Sequence, residues 1–397
     1  MSEHQHPGTQ KKWLPGIEAL RGVAALTVVF HHSWSLSSMP RFPGYWLVEG
    51  FGNWGVSLFF MLSGYLLAET FWQERRADLR IYAIRRFFRI APAYYVNLTI
   101  LFLFFARTHQ VFSEQGAKQV AASYSFMHYL TPGTSSSLNV NGALWTLTIE
   151  MLLYAFLPIL AIAVRYAPVI SLVTIAGIGI GWRALVAFAG DGLREFYFGT
   201  TMLDPGIQSL FIARQFIGAL AVFALGIGAR WLVVKGHMGW LYRRIPRMST
   251  TGFLLLAVPS LLLLRWVEEG SNYTNGWFFA AYDFLLMLLM VPALVLAAYP
   301  GEFRPSPLRT VSTWLGERSY SIYLWHFPII LAVYERGPFR FGPAPAGYEW
   351  RLPLILLLTL IFASVSYHTV ERPGMEWGRR LARRFAAPTS TKEQAPS

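Results

Sequence analysis

The sequence predicts an all-α, polytopic membrane protein with about ten transmembrane helices around a polar central cavity. Three observations lead there. Of the 397 residues, 54% are hydrophobic and only 14% are charged, and the mean hydropathy is +0.39, a composition that departs from that of a soluble globule. Apolar windows of about 20 residues, the length that spans a bilayer as a helix, recur along the chain. Lysine and arginine gather in alternate connections, as the positive-inside rule requires of a multi-span protein.

The ten windows lie near 14–36, 53–71, 88–106, 143–164, 167–189, 212–234, 251–267, 277–299, 318–335 and 352–371. They divide the chain into a cytoplasmic tail (1–12), a transmembrane domain (13–372) and a basic, partly disordered cytoplasmic tail (373–397). The opening dozen residues, MSEHQHPGTQKK, lack the cationic-then-apolar order of a cleavable signal, so the first apolar window stays as a membrane helix. With Lys11 and Lys12 inside, the inner connections carry Arg75, Arg76, Arg80, Arg85, Arg86 and Arg89, then Arg165, then Arg230, Lys235, Arg243, Arg244 and Arg247, then Arg304 and Arg309. Arg372, Arg379, Arg380, Arg383 and Arg384 follow the last span. This places a multi-pass protein in the plasma (inner) membrane with its amino terminus cytoplasmic. One cluster on the opposite side, Arg336, Arg340 and Arg351, is discordant. The window at 318–335 is short and interrupted by His326 and Pro328; as a re-entrant segment it would move the carboxyl terminus to the other side. Between Arg107 and Gly142 runs the longest outer connection, polar and serine-rich, long enough to cover an extracytoplasmic opening.

Several chemistries drop out. There is no cysteine, hence no disulfide, iron–sulfur or thiolate chemistry. HExxH, Walker and GxSxG patterns are missing, no GxGxxG follows a strand, and adjacent His31 and His32 do not have metal-ligand spacing. No metal is expected. The net charge of +13 reads as topology signal and contact with anionic membrane lipid, not as nucleic-acid binding.

The first window is where chemistry concentrates. Gly16 to Trp34 is apolar yet carries Glu18, Arg21, His31 and His32, and ionisable groups inside a membrane helix mark functional positions. At about 100° per residue, His32 falls about 20° from the Arg21 face and about 16.5 Å further along; Glu18 lies one turn below Arg21, and His31 points about 80° away. His32 is therefore the histidine expected to share a cavity with Arg21. In GVSLFFMLSGYLL, Gly55, Ser57, Ser63 and Gly64 suit close helix packing. Arg85, Arg86 and Arg89 converge near a helix start before Pro92, either as an anionic-donor site, since guanidinium groups grip phosphates with paired donors, or as a positive-inside anchor. Glu150 interrupts an apolar run, so it orients His32 or Arg21, or locks two helices together. Asp283 raises the same choice. In ERSYSIYLWHFP, His326 is a second polar wall or a structural histidine.

These segments together resemble the integral-membrane acyltransferase-3 family, which includes bacterial O-acetyltransferases of polysaccharides and macrolide acyltransferases. The resemblance rests on Arg21, ten residues, then His32 in the first span, followed by GVSLFFMLSGYLL, RRFFRIAPAYY, WTLTIE around Glu150, SYSIYLWHFP and VERP at Val370 to Pro373. Glu18 stands where many members have aspartate, and Ala19 where glycine is common. The resemblance implies transfer of an acyl group, commonly acetyl from acetyl-CoA or another acyl-CoA on the cytoplasmic side, to a hydroxyl of a carbohydrate, glycolipid or glycosylated natural-product acceptor. Some relatives carry a second, extracytoplasmic SGNH-type hydrolase domain. This sequence has none after its last span, so transfer is expected to be completed in the membrane domain or by a separate extracytoplasmic partner.

On that expectation His32 is the general base, suited to neutral pH, with Glu150 or Glu18 fixing its imidazole. Arg21 binds a donor phosphate or pairs with Glu18, while Arg85, Arg86 and Arg89 hold the donor's phosphate-rich head. A multi-span transporter or flippase of a small molecule or lipid-linked sugar is the rival reading, because embedded charges and a central cavity suit it equally; repeat-related broken helices, expected of that class, are not apparent. A lipid-binding structural or sensor protein would need only the basic loops.

Overall fold

The computed structural model describes residues 14–37, 39–72, 77–104, 111–136, 141–199, 203–237, 257–269, 276–298, 307–334 and 348–385. Expectations resting on residues 1–12, Arg75, Arg76, Arg107, Arg243, Arg244, Arg247, Arg304, Arg336, Arg340 and the tail beyond 385 lie outside the described residues. Among those described, every regular element is helical. All ten predicted windows contain a helix: α1 (Pro15–Ser35), α2 (Tyr45–Ala68), α3 (Leu79–Phe104), α6 (Trp145–Tyr166), α7 (Pro168–Phe188), α10 (Phe216–Val234), α11 (Val258–Glu269), α12 (Gly276–Ala297), α14 (Ser319–Val333) and α15 (Tyr348–Ser366). Between them stand α4 (Glu114–Tyr124), α5 (Pro132–Ser136), α8 (Gly190–Phe198), α9 (Pro205–Ala213) and α13 (Pro307–Glu317), and α16 (Arg372–Arg383) follows. Seven helices among the described residues are long and apolar enough to cross a membrane. The chain is thus a polytopic membrane protein.

α1 has the length as well, at 21 residues, but its polar side chains keep it out of that group. Pro15 opens it, where the missing N–H costs nothing. Glu18 in its first turn suits the helix dipole. α14 is only 15 residues long, about 22 Å at 1.5 Å per residue, short of a hydrocarbon core of about 30 Å. It is almost wholly buried and packs against α1, α3 and α15.

Several details differ from the sequence reading. α2 and α3 begin at Tyr45 and Leu79 instead of 53 and 88, because Glu49 and Asn53 in α2 and Arg80, Arg85 and Arg86 in α3 lower the hydropathy of opening turns that still bond as helix. Pro92 lies inside α3 and does not start it. The outer connection contains α4, capped by the Ser113 hydroxyl accepting from the Gly116 amide, and α5. At the other end a π-helical turn, Tyr367–Glu371, leads into α16. That helix packs on α3, with Gly374 against Pro92 and Gly378 against Phe88. Helical packing therefore continues through Arg383.

Two of the small residues of GVSLFFMLSGYLL, Gly55 and Gly64, do serve close packing. A Cβ on Gly55 would stand 2.4 Å from the Thr27 hydroxyl of α1, and one on Gly64 2.5 Å from the Phe223 carbonyl of α10. Arg351, part of the discordant outer cluster, is buried, with its guanidinium over the Tyr334 and Trp350 rings, so it is a packed side chain and not a loop charge.

Asp283 is a lock between helices. Its carboxylate is 2.8 Å from Arg183 Nη1 and also accepts from Asn53 Nδ2, joining α12 to α7 and α2. Arg183 donates further to the Phe279 carbonyl. Removing one partner of a buried pair typically costs about 3–5 kcal/mol, because the other charge is left uncompensated. Asp283→Ala is therefore expected to lower the thermal unfolding midpoint of detergent-purified protein by several degrees. Lost activity with an unchanged midpoint would place Asp283 in the functional machinery instead.

Candidate functional site

A cavity of about 1100 Å³ opens between the first turns of α1 and α3 and the last turns of α2 and α10. Five arginines line it, Arg21, Arg85, Arg86, Arg89 and Arg230, together with Glu18, Glu69, Asp78 and Glu150. α3 supplies most of the positive charge because Tyr82, Arg85, Arg86 and Arg89 recur at one-turn spacing and so share a helix face. The polar central cavity expected from the sequence is present.

Its charges are mostly matched in pairs. Arg21 Nη1 is 2.9 Å from Glu18 Oε2, one turn away. Arg230 donates to Glu69 and, at 3.0 Å, to the Tyr65 hydroxyl. Arg89 pairs with Glu371, which is fully buried in the π-helical turn and accepts from the Ser321 hydroxyl as well; its guanidinium also faces the Tyr320 ring at 5.5 Å. Arg86 differs: it has no carboxylate partner among the described residues, and its Nε is buried without a hydrogen bond. Arg85 is exposed at the mouth. The arginine trio is thus divided between one structural ion pair and two residues available to a ligand.

Glu150 lines the cavity but touches neither His32 nor Arg21. It accepts from the Tyr154 hydroxyl one turn along α6 and from the Ser63 hydroxyl of α2 at 3.3 Å. Glu18 is likewise engaged with Arg21. The carboxylate expected to fix the His32 ring is replaced by an imidazole: His32 Nδ1 is 2.9 Å from His326 Nε2, with the rings stacked. His326 Nδ1 is 2.6 Å from the Tyr323 carbonyl. A carbonyl only accepts, so His326 Nδ1 carries the proton, and in the neutral ring Nε2 is then a bare acceptor. His32 Nδ1–H must donate to it. The chain of bonds leaves His32 Nε2 as an unprotonated lone pair, and it makes no hydrogen bond among the described residues. His31, by contrast, donates from Nδ1 to the Val48 carbonyl of α2, a structural contact.

His32 and Arg21 do not line one cavity. Arg21 faces the arginine-lined space, whereas neither His32 nor His326 is among its lining residues. Tyr323 joins the two regions: its ring lines the cavity end and lies 5.5 Å from the His326 ring, and its hydroxyl donates to the Ala143 carbonyl beside the Thr146 hydroxyl. The turn of α14 that carries His326 is opened by Pro328, which lacks the N–H that would bond the Leu324 carbonyl. Asn97 of α3 and Asn141 ahead of α6 donate to that carbonyl instead, at 3.2 and 3.3 Å.

Sequence reasoning passed over Glu371 as a site residue, along with Tyr323, Tyr154, Ser63, Glu69 and Arg230. A carboxylate at the very end of the last apolar window, within VERP, was the available signal for Glu371. The hydroxyls gave none, since one tyrosine or serine in an apolar helix reads like any other. Among the described residues, no group of three or more histidines and carboxylates is arranged to hold a metal ion.

The chain is similar to known proteins over most of its length. The chain is 26% identical over 399 residues to the peptidoglycan O-acetyltransferase OatA of Listeria monocytogenes, covering 91% of this chain and 56% of the relative. It is 25% identical over 384 residues to the O-acetyltransferase OatA of Staphylococcus aureus, covering 91% and 57%. The chain thus spans little more than half the length of these curated relatives. No solved structure matches it. Residues 14–368, which take in every helix from α1 through α15, match the acyltransferase domain family, and the chain belongs to that family.

Proposed function

We propose that this chain is a membrane O-acetyltransferase that moves an acetyl group from acetyl-CoA to a hydroxyl of a carbohydrate acceptor, with His32 as general base. The observation that carries this reading is the run Tyr323 carbonyl, His326, His32, which presents a bare imidazole nitrogen next to the end of an arginine-lined cavity. Both relatives described above are named as O-acetyltransferases, one of them of peptidoglycan, which supports a glycan acceptor.

The cavity fits a large anionic donor. About 1100 Å³ is at the top of the usual range of ligand sites, about 300–1,000 Å³. Arg85 and Arg86 supply guanidinium donors to phosphate at its mouth. That mouth lies on the α1 amino-terminal face, taken as the cytoplasmic face of the plasma membrane because Arg80, Arg85, Arg86, Arg230, Lys235 and the α16 arginines share it. The donor arm extends inward past Arg21 to Tyr323, and Tyr323 has to yield for the thioester to meet His32.

At that point His32 Nε2 takes the proton of the acceptor hydroxyl as its oxygen attacks the thioester carbonyl. The carbon–sulfur bond breaks as the carbon–oxygen bond forms, and the imidazolium returns its proton to the departing thiolate. His326 accepts from Nδ1 throughout, holding the ring and sharing the developing charge.

Incubating purified protein in nanodiscs with radiolabelled acetyl-CoA and soluble peptidoglycan glycan strands tests the reading. An alkali-labile acetyl ester on the glycan is expected. Movement of substrate across proteoliposomes with no ester formed would favour a transporter.

A further inference from the structure

A second, smaller pocket lies away from the arginine-lined cavity, at the opposite end of α3, beneath the α4–α5 connection. Its volume is about 80 Å³. Gln119 and Ser123 of α4, His128 in the following turn, Ser135 of α5, Asn141, and Trp145 at the start of α6 are among its walls. The connection is tied down over it: Tyr94 donates to the Ser123 carbonyl at 2.8 Å, and the Thr134 hydroxyl to the His128 carbonyl at 2.9 Å.

His128 is what makes this a built site. The residue is 7% exposed, its Nδ1 is 3.2 Å from the Thr148 hydroxyl, and its Nε2 is buried with no hydrogen-bond partner. Burial pushes the imidazole down to about 4, only partly opposed by the nearby Leu144 backbone, so the ring is neutral at pH 7. A buried nitrogen left without a partner costs about 1–3 kcal/mol, and His128 is among the residues that line this polar pocket. A hydroxyl suits it under either tautomer, because a hydroxyl both donates and accepts. The pocket has room for a hydroxyl-bearing fragment of a sugar, a water's share of liquid volume being about 30 Å³. Trp145 adds an aromatic wall, against which the apolar face of a sugar ring packs.

The pocket is also coupled to the histidine pair. Asn141 donates to the Leu324 carbonyl on α14, two residues before His326. A Cβ on Gly142 would meet the Phe327 ring at 3.0 Å, and that ring lies 5.3 Å from His32.

We propose that this pocket is a subsite for the carbohydrate acceptor, in which His128 Nε2 hydrogen-bonds one acceptor hydroxyl while another is presented toward His32. This rests on the acetyl-transfer reading above and names where its acceptor is held. His128 is a specificity residue here and takes no proton in the reaction.

The test uses the full chain in nanodiscs, with His128→Leu and the more conservative His128→Gln, both checked for an unchanged unfolding midpoint. Soluble peptidoglycan glycan strands are the probe, followed by saturation-transfer NMR and by initial rates with acetyl-CoA. Loss of a hydrogen bond worth about 0.5–1.5 kcal/mol corresponds to a rise of about 2- to 12-fold. His128→Leu is expected to raise the acceptor Kd and KM by about that factor, and His128→Gln by less, with donor KM and kcat within about twofold of wild type. Wild-type Kd and KM in both variants would overturn the subsite, leaving the pocket to water, while ester formation by the wild type would leave the acetyl-transfer reading standing. Strand binding that depends on His128 but is never followed by acetylation would keep the subsite and end the transferase reading.

Discussion

His32→Ala is expected to lower acetyl transfer by about 10²–10⁴-fold, the usual contribution of general-base assistance, with little change in donor or acceptor KM. The reason is geometric. Of the two unprotonated nitrogens of the pair, His326 Nε2 accepts from His32 and only His32 Nε2 is left with a free lone pair, because the Tyr323 carbonyl fixes the His326 tautomer and His326 fixes that of His32. His326→Gln is expected to cost less, about 10-fold or more, since the amide oxygen of a well-placed glutamine accepts the same Nδ1 proton. A folded His32→Ala protein that transfers acetyl at close to the wild-type rate would remove the base role outright. If His326→Ala were as damaging as His32→Ala while His326→Gln were silent, the second histidine would be acting only as a hydrogen-bond acceptor.

Arg86→Ala is expected to raise the KM for acetyl-CoA by about 10- to 100-fold, since a hydrogen bond to a charged group contributes about 1.5–3 kcal/mol, while leaving the unfolding midpoint in place. Arg86 has no ion-pair partner to abandon among the described residues, and its buried Nε already lacks a hydrogen bond. Arg89→Ala is expected to behave differently. It strands Glu371, whose side chain is fully buried, so loss of folded protein should precede any kinetic defect. The double variant Arg89→Met with Glu371→Gln separates the two effects, because it removes the pair without leaving a lone charge. Recovered stability together with near-normal donor KM would make Arg89 a scaffold residue. Equal donor KM defects for Arg85, Arg86 and Arg89 at constant stability would restore the trio as one phosphate site.

The helices were legible because membrane insertion depends on summed hydropathy along a segment, a property of local composition. α14 shows the rule from its weak side. Interrupted by His326 and Pro328 and shorter than a bilayer, it is still a helix, because its neighbours bury it and two asparagines satisfy the carbonyl that Pro328 frees. The sequence also marked out Glu18, Arg21, Arg85, Arg86, Arg89 and Glu150 of the charged groups that line the cavity, since a charge in or beside an apolar run is conspicuous, but not Glu69, Asp78 or Arg230.

What the sequence by itself determined is which segments enter the membrane and which residues are too costly to be there without a purpose. Partnership was decided only by the tertiary structure. Whether Glu150 or His326 meets His32, whether Arg89 serves a ligand or Glu371, and whether Asp283 belongs to the site or to Arg183 all depend on how helices far apart in the chain are rotated and shifted against one another. Helical periodicity specifies the face of a residue within its own helix, but the neighbour across the interface is set by the packing of whole helices. A hydrogen bond of about 3 Å cannot be read from a pattern whose smallest unit is a turn.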